Sequence, residues 1–301
     1  MPVRRTEAGA RAVRRRTVVK RLTLPGRIGG LGEIAERFAA GLFDLWGTLY
    51  DGDGLFPQAV KALEHFSDPG RVAILLSNSP QREERVARRL HRLGLDPALH
   101  AGLVTSGEMA RRILERDWSG RRFFHLGPKF DRPTVEGLPL EEVDQPREAD
   151  LLLATGPVHE RIEDHLPVLR EGCRVGAVML VANPDRWVIH RGRKVACAGL
   201  LGDLYEEIGG TVMLAGKPGP TIYQEAFRRI ASAAGAAVAK RKILAIGDGM
   251  ETDIAGARAG RLASLFVEGG LHASQLGREG VRNFFAGWPW QPDWRIERLR
   301  W

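Results

Sequence analysis

Short apolar runs recur along the chain, and each is followed at once by polar and loop-forming residues. This pattern predicts buried strands of a parallel sheet, because such strands are covered by helices on both faces. Segments with apolar residues at helical spacing separate the runs, and Pro57 stands where the first of these helices would begin. The alternation predicts the α/β class with a Rossmann-like parallel-sheet core. The four clearest apolar runs are residues 41–43, 72–76, 211–215 and 243–246.

The region from about residue 120 to 205 repeats the order strand, helix, strand with turns of its own, which predicts an inserted, smaller α/β unit. The core would therefore be built from two separated stretches of chain. A tail with four tryptophans follows, and we expect these to close one edge of the core. The expected divisions are a disordered basic arm over 1–21, the first part of the core over 22–107, the insert over 108–209, and the second part with the tail over 210–301.

Chemically useful side chains stand where four of the predicted strands end. In a parallel sheet those ends lie on one edge, where ligands of open α/β sheets bind. We therefore expect the groups to converge. They are Asp44, then Ser77 with Asn78, then Lys217, then Asp248 with Asp253.

Charge and cysteine content narrow the class of protein. Of the formal net charge of +8, the first 21 residues carry nearly all, since they hold eight Arg or Lys and one Glu. The remainder is close to neutral, so the charge does not predict nucleic-acid binding. No apolar run is long enough to span a membrane, and two cysteines, Cys173 and Cys197, are too few for a disulfide framework. We expect a cytoplasmic protein.

The four segments, in this order, resemble the signature motifs of the haloacid dehalogenase (HAD) superfamily, most of whose members are Mg²⁺-dependent phosphatases. The spacing resembles class IIA, because 33 positions separate Asp44 from Ser77 and 140 separate Ser77 from Lys217. The insert would thus be a cap between the second and third motifs, as in sugar-phosphate and pyridoxal-phosphate phosphatases. Residues 183–185, with the sequence Asn-Pro-Asp, also resemble that branch.

The resemblance implies roles for these residues. A carboxylate that attacks phosphorus forms an aspartyl-phosphate and divides one displacement into two easier ones. Donors and positive charge then stabilise the transferred group, and a hard cation bound by oxygen atoms neutralises it further. The implied assignments are Asp44 and Lys217 as catalytic, Ser77, Asn78 and Lys217 as phosphate-binding, Asp44, the Trp46 carbonyl, Asp248 and Asp253 as Mg²⁺ ligands, and Asn183 and Asp185 as cap residues at the substrate.

Residue 46 departs from the family pattern. Phosphatases of the superfamily place a second aspartate two positions after the nucleophile, as general acid and base, whereas this chain has Trp46. Because a positioned general acid contributes roughly 10²- to 10⁴-fold, we expect slow hydrolysis of esters with poor leaving groups, unless Asp51, the substrate or a cap residue takes over.

Two alternatives remain open at this point. An aromatic residue at position 46 is also found in the metal-independent dehalogenases, although their cap lies between the first and second motifs. A weakly active or inactive module that binds phosphorylated ligands is the other alternative. The expected ligand is a small phosphorylated metabolite, with neither nucleic acid nor membrane as a partner. Cap-mediated dimers are known among similar proteins, which leaves a homodimer open.

Overall fold

The computed structural model describes residues 23–67 and 70–301. The basic arm expected over 1–21 therefore lies outside the described residues. The strands are β1 Gly26–Arg27, β2 Ala40–Asp44, β3 Val72–Ser77, β4 Leu103–Thr105, β5 Arg122–Leu126, β6 Glu141–Glu142, β7 Leu151–Ala154, β8 Val178–Val181, β9 Trp187–His190, β10 Arg193–Ala196, β11 Thr211–Leu214, β12 Ile243–Gly247, β13 Ala263–Val267 and β14 Trp294–Ile296. The helices are α1 Gly32–Ala35, α2 Pro57–Phe66, α3 Glu83–Arg92, α4 Ser106–Asp117, α5 Leu166–Arg174, α6 Gly199–Glu207, α7 Pro220–Ala234, α8 Ala255–Gly260 and α9 Ala273–Ala286.

The larger sheet has seven parallel strands in the order β1-β14-β13-β12-β2-β3-β4. Its central strands β2 and β12 are buried along their whole length, which explains their continuous apolar sequences. The chain order reverses between β2 and β12, and such a reversal is where open α/β sheets bind their ligands. Asp44 is the last residue of β2, at this position. The predicted α/β class with a parallel-sheet core is confirmed.

The inserted unit has a five-stranded sheet in the order β11-β8-β7-β5-β6, also parallel throughout, and a two-stranded antiparallel hairpin of β9 and β10. The strand before Lys217 corrects the sequence analysis. We expected Thr211–Leu214 to belong to the core, but it pairs with Val178–Val181 of the insert. Lys217 is therefore delivered to the site by the smaller sheet, and the four strand ends belong to two sheets instead of one.

Helices α4 and α7 lie between the two sheets, within one apolar cluster that both sheets share. The cluster contains Ile74 and Val104 of the larger sheet and Leu151 and Leu180 of the smaller one. A separate cluster on the outer face of the smaller sheet is formed with α5 and α6. Because the shared cluster is continuous, the insert is anchored to the core by buried apolar surface as well as by its chain connections.

The carboxyl ends of both sheets meet. Asn78, after β3, is hydrogen bonded to Asp185, which follows β8. The Thr134 hydroxyl donates to the carbonyl of Pro80 at 2.7 Å, and Arg85 donates to the carbonyl of Phe130 at 2.9 Å. Loops at the ends of both sets of strands therefore line the space between core and insert. Within the described part of the chain, no helix has the length and apolar character needed to cross a membrane.

Candidate active site

Asp44 lies at the end of β2 with 6% of its surface exposed. Its Oδ1 accepts a hydrogen bond from Lys217 Nζ at 2.6 Å. The other oxygen, Oδ2, is buried and has no hydrogen-bond partner among the described residues. Burial raises the pKa of Asp44 to about 7, and the ammonium group of Lys217 opposes that rise. One oxygen of Asp44 is thus held in position while the other is open to a ligand.

Lys217 is 2% exposed and connects the carboxylates. Besides Asp44, its ammonium group donates to Asp253 Oδ1 at 2.7 Å and to the carbonyl of Leu76 at 3.2 Å. Burial alone would lower the pKa of Lys217, but the nearby Asp253 and Asp44 outweigh it and raise the pKa well above its usual range. Lys217 is therefore a fixed positive charge beside Asp44.

Two further carboxylates follow β12. Asp248 Oδ2 accepts the backbone N–H of Leu271 at 2.6 Å, and Asp253 Oδ2 accepts that of Gly249 at 3.1 Å. Burial and the neighbouring carboxylates raise the pKa of Asp248 well above its usual range. Gly47 has a φ of 80°, and a Cβ there would lie 2.0 Å from Asp248 Oδ2. Glycine at position 47 therefore lets the loop between β2 and α2, named here the nucleophile loop after the role expected of Asp44, approach this carboxylate closely.

Asp44, Asp248 and Asp253 fit a hard divalent cation. One oxygen of each lies within 4.8 Å of the others, and all three residues are buried. Lys217 is the one cation that contacts this group among the described residues, so three carboxylates face a single positive charge. Buried like charges favour protonation or a bound cation, and oxygen-only ligands suit Mg²⁺ or Ca²⁺. Asp44, Asp248 and Asp253 would each supply one ligand oxygen.

Asn78 connects the larger sheet with the insert. Its Oδ1 accepts the backbone N–H of Lys217 at 2.8 Å, and its Nδ2 donates to Asp185 Oδ1 at 2.8 Å and to the carbonyl of Lys217 at 3.1 Å. Burial raises the pKa of Asp185 to about 6, with Lys217 opposing. Asn78 thereby fixes the backbone that carries Lys217 and brings Asp185 of the insert to the site.

Ser77 and Asn183 make local contacts. Ser77 is 5% exposed, and its hydroxyl oxygen accepts the backbone N–H of Ser79 at 3.2 Å. Asn183 Oδ1 accepts the backbone N–H of Asp185 at 3.3 Å, which is the contact of a turn-forming residue. Ser77 thus lies at the end of β3, next to the strand that ends at Asp44. The Asn183 side chain shapes the turn that presents Asp185.

The Trp46 side chain binds the insert. Its indole Nε1 donates to the carbonyl of Ile189 at 2.9 Å, and its ring meets that of His190 edge to face with centroids 5.7 Å apart. The adjacent Asp53 forms an ion pair with Arg191, with distances of 3.0 and 3.3 Å. The position at which the family pattern has an acid is therefore used here to hold the β9–β10 hairpin against the nucleophile loop.

Two elements of the site were missed from the sequence. One is the Trp46–hairpin contact, which joins residues 143 positions apart and has no local signal. The other is the Gly270–Leu271 loop against Asp248, where a Cβ on Gly270 would lie 2.0 Å from Oδ2. The consecutive glycines 269 and 270 after β13 were the available signal, since paired glycines after a strand indicate a close approach of the backbone.

Comparison with known proteins places this arrangement in a family. Residues 41–140 match the family described as haloacid dehalogenase-like hydrolase, and residues 214–300 match one described as HAD-hydrolase-like. A crystal structure of a haloacid dehalogenase-like hydrolase from Brucella suis is 32% identical, with a TM-score of 0.80 over 92% of this chain and 100% of that one. The chain therefore belongs to the haloacid dehalogenase-like hydrolase family.

Two other relatives are chronophin and a glycerol phosphate phosphatase. Human chronophin is 27% identical over 81% of this chain and 86% of its own. Glycerol phosphate phosphatase from Mycobacterium tuberculosis, crystallised with calcium, is 25% identical with a TM-score of 0.63, over 89% of this chain and 75% of that one. The same protein has also been crystallised with magnesium. Within its family the present chain is a class IIA hydrolase of the phosphatase type, as the spacing of its motifs indicated.

Proposed function

We propose that the chain is a Mg²⁺-dependent phosphomonoester hydrolase that acts on a small phosphorylated metabolite through an aspartyl-phosphate at Asp44. The observation that carries the proposal is the arrangement around Lys217, whose ammonium group binds Asp44 Oδ1 and Asp253 while Asp44 Oδ2 stays unpartnered. The names of the relatives support the substrate class, since they include a phosphatase of glycerol phosphate. Bound Mg²⁺ would neutralise charge on the substrate phosphate.

The hydrolysis proposed for Asp44 proceeds in two steps. In the first, Asp44 Oδ2 attacks phosphorus, a new P–O bond forms, and the ester P–O bond breaks with its electron pair leaving on the alcohol oxygen. That oxygen takes a proton from water or from a nearby acid. In the second, water attacks the aspartyl-phosphate, loses a proton, and releases inorganic phosphate and the free carboxylate. Lys217 stabilises the charge on the transferred group throughout.

We further propose that hydrolysis is slow because Trp46 replaces the acid that would protonate the leaving oxygen. The indole donates to Ile189 and has no titratable group. The substitution Trp46→Asp should raise the turnover of alkyl phosphates by up to roughly 10²-fold, which is the lower end of the range for general acid catalysis. Aryl phosphates with good leaving groups should gain less. Equal or lower turnover of both ester types would contradict this role for residue 46.

The experiment that tests the function is phosphate release from a panel of phosphomonoesters, with and without Mg²⁺. We expect release that depends on the metal and is lost in Asp44→Asn. Circular dichroism of the variant would verify that it is folded. Release that persists in Asp44→Asn would overturn the aspartyl-phosphate step.

The alternatives from the sequence have less support. The dehalogenases of the superfamily work without a metal, whereas Asp44, Asp248 and Asp253 form a group that fits a cation. This chain also has its insert after the second motif instead of before it. A ligand-binding module without catalysis does not require a nucleophile with one free buried oxygen. Binding of phosphate esters without any release, by folded protein in Mg²⁺, would favour the binding module.

A further inference from the structure

A cavity outside the carboxylate site lies between α3 and the segment of the insert that follows β5. It encloses about 550 Å³, and its walls include Arg85, Arg88 and Arg92 of the helix and Asp131 and Thr134 of the insert. A neighbouring cavity of about 420 Å³ extends to Gly52 and Asp53 of the nucleophile loop. Gln81, Arg85 and Arg92 line both, so the two form one continuous cleft, named here the α3 cleft.

The α3 cleft offers cationic groups to a ligand. Among residues 23–67 and 70–301, Arg85 and Arg92 form no ion pair: Arg85 binds the carbonyl of Phe130 at 2.9 Å, and Arg92 that of Arg88 at 3.4 Å. By contrast, Arg82 is paired with Glu108. A guanidinium group without a carboxylate partner at the wall of a cleft matches carboxylate and phosphate ligands in charge and geometry.

Asp131 lies in the wall of the same cleft and is 3% exposed. Burial raises the pKa of Asp131 to about 6, whereas hydrogen bonds from Gln81 and Thr155 and the charge of Arg85 oppose that rise. Asp131 is thus a buried carboxylate that faces the protein, and the groups that the cleft offers to a ligand are its arginines.

The loop after β3 extends from the carboxylate site to the α3 cleft. In that loop Asn78 contacts Lys217 and Asp185, whereas Gln81, three positions later, lines the cleft. In the smaller sheet, the end of β5, before Asp131, is two strands from the end of β8, before Asp185. At the spacing of neighbouring strands, these two strand ends are roughly 10 Å apart.

Resting on the phosphatase activity proposed above, we propose that the α3 cleft binds the leaving group of the substrate and selects one that carries an acidic group. Arg85 and Arg92 bind that acidic group. The enzyme then prefers phosphate esters with a second anionic group, either a carboxylate or another phosphate. Helix α3 belongs to the core, so the core takes part in substrate selection together with the insert.

The test compares two substrates of nearly equal size, 3-phosphoglycerate and glycerol 3-phosphate. The first carries a carboxylate where the second carries a hydroxymethyl group. The wild-type kcat/KM should favour 3-phosphoglycerate. Arg85→Gln should reduce that preference about tenfold, since a hydrogen bond to a charged group contributes about 1.5 kcal/mol or more. Arg170→Gln is the matched control, because Arg170 is exposed on α5 and away from the cleft. It should leave the preference unchanged. A hexose bisphosphate would test whether a second phosphate replaces the carboxylate.

Three results would overturn the proposal. The first is a wild-type preference for glycerol 3-phosphate, and the second is an equal effect of Arg85→Gln on both substrates. The third is non-competitive inhibition of glycerol 3-phosphate hydrolysis by free glycerate, if that inhibition disappears in Arg85→Gln. The last would mean a separate effector site. Calorimetric binding of 3-phosphoglycerate to Asp44→Asn, with and without Arg85→Gln, separates the two proposals. If turnover is absent in the wild type but binding depends on Arg85, the cleft assignment stands and the phosphatase function fails.

Discussion

Two clusters of buried charge in this molecule have opposite character. At the end of β2, three carboxylates face the single ammonium group of Lys217, and burial raises the pKa of Asp44 to about 7. Between α4 and α7, Glu225 is instead surrounded by Arg112, Arg228 and Arg229 at 2.8 to 3.0 Å. Hydrogen bonds from Arg228, then from Arg229 and Arg112, lower the pKa of Glu225 to about 2. The carboxylates are buried in both clusters, although Arg112 and Arg228 of the second are exposed. Excess negative charge and an oxygen without a hydrogen-bond partner among the described residues occur at the first cluster.

The comparison shows how a functional charge cluster differs from a structural one. The Glu225 cluster is complete by itself, since Arg229 also binds Glu83 and the carbonyl of Leu103. In the Asp44 cluster the negative charges outnumber the positive one, as we expect of a site that binds a further cation. We therefore expect substitutions in the first to change activity and cation response, and those in the second to change the free energy of unfolding.

The largest effect is expected for Lys217→Met. Removal of the ammonium group leaves buried carboxylates uncompensated, which costs about 3–5 kcal/mol when one partner of a buried ion pair is lost. Phosphate release should fall by on the order of 10²–10³-fold or more. Urea unfolding and phosphate release measure the two effects. Lys61→Met, at an exposed position of α2, is the control. A Lys217→Met protein of wild-type activity would remove the basis of the comparison.

A smaller effect is expected from cation binding to the apo protein. At 100 times its dissociation constant, Mg²⁺ should stabilise the fold by about 2.7 kcal/mol and raise Tm. In Asp248→Asn, which removes one carboxylate charge, the shift should shrink or disappear. The equivalent change in the second cluster, Glu225→Gln, should retain the full shift. Equal shifts in all three proteins would mean that the cation binds elsewhere.

The smallest effect, and the one with a pH signature, is expected for Glu225→Gln. The folded-state pKa of Glu225, about 2, lies below its ordinary value of 4.5, so ionised Glu225 contributes stability above pH 4.5. That contribution is lost as the pH falls through the window from 4.5 to about 2. The substitution should cost about 2 kcal/mol at pH 7 and clearly less at pH 3. Urea unfolding at both pH values checks this, and a constant difference would mean that the charge of Glu225 is unimportant.

The convergence of Asp44 and Asp248 could be predicted from the sequence, because each stands at the end of a strand whose apolar run is continuous. Asp44 and Asp248 follow fully buried strands, and that signal is local. The sheet that contains Thr211–Leu214 could not be predicted, because an apolar run of four residues looks alike in either sheet and its partner is at Val178. The edge pairing of Gly26–Arg27 with Trp294 and Arg295 was missed for a similar reason, since a two-residue strand has no periodicity.

The path of the chain into Lys217 limits how the cap can be exchanged between proteins. The lysine backbone continues the cap strand β11, while its ammonium group is held by Asp44 and Asp253 of the core. A chimera that replaced the whole insert through Leu214 would also replace the strand that sets the height and direction of Lys217. For protein engineering, the transplantable part of the insert therefore excludes β11.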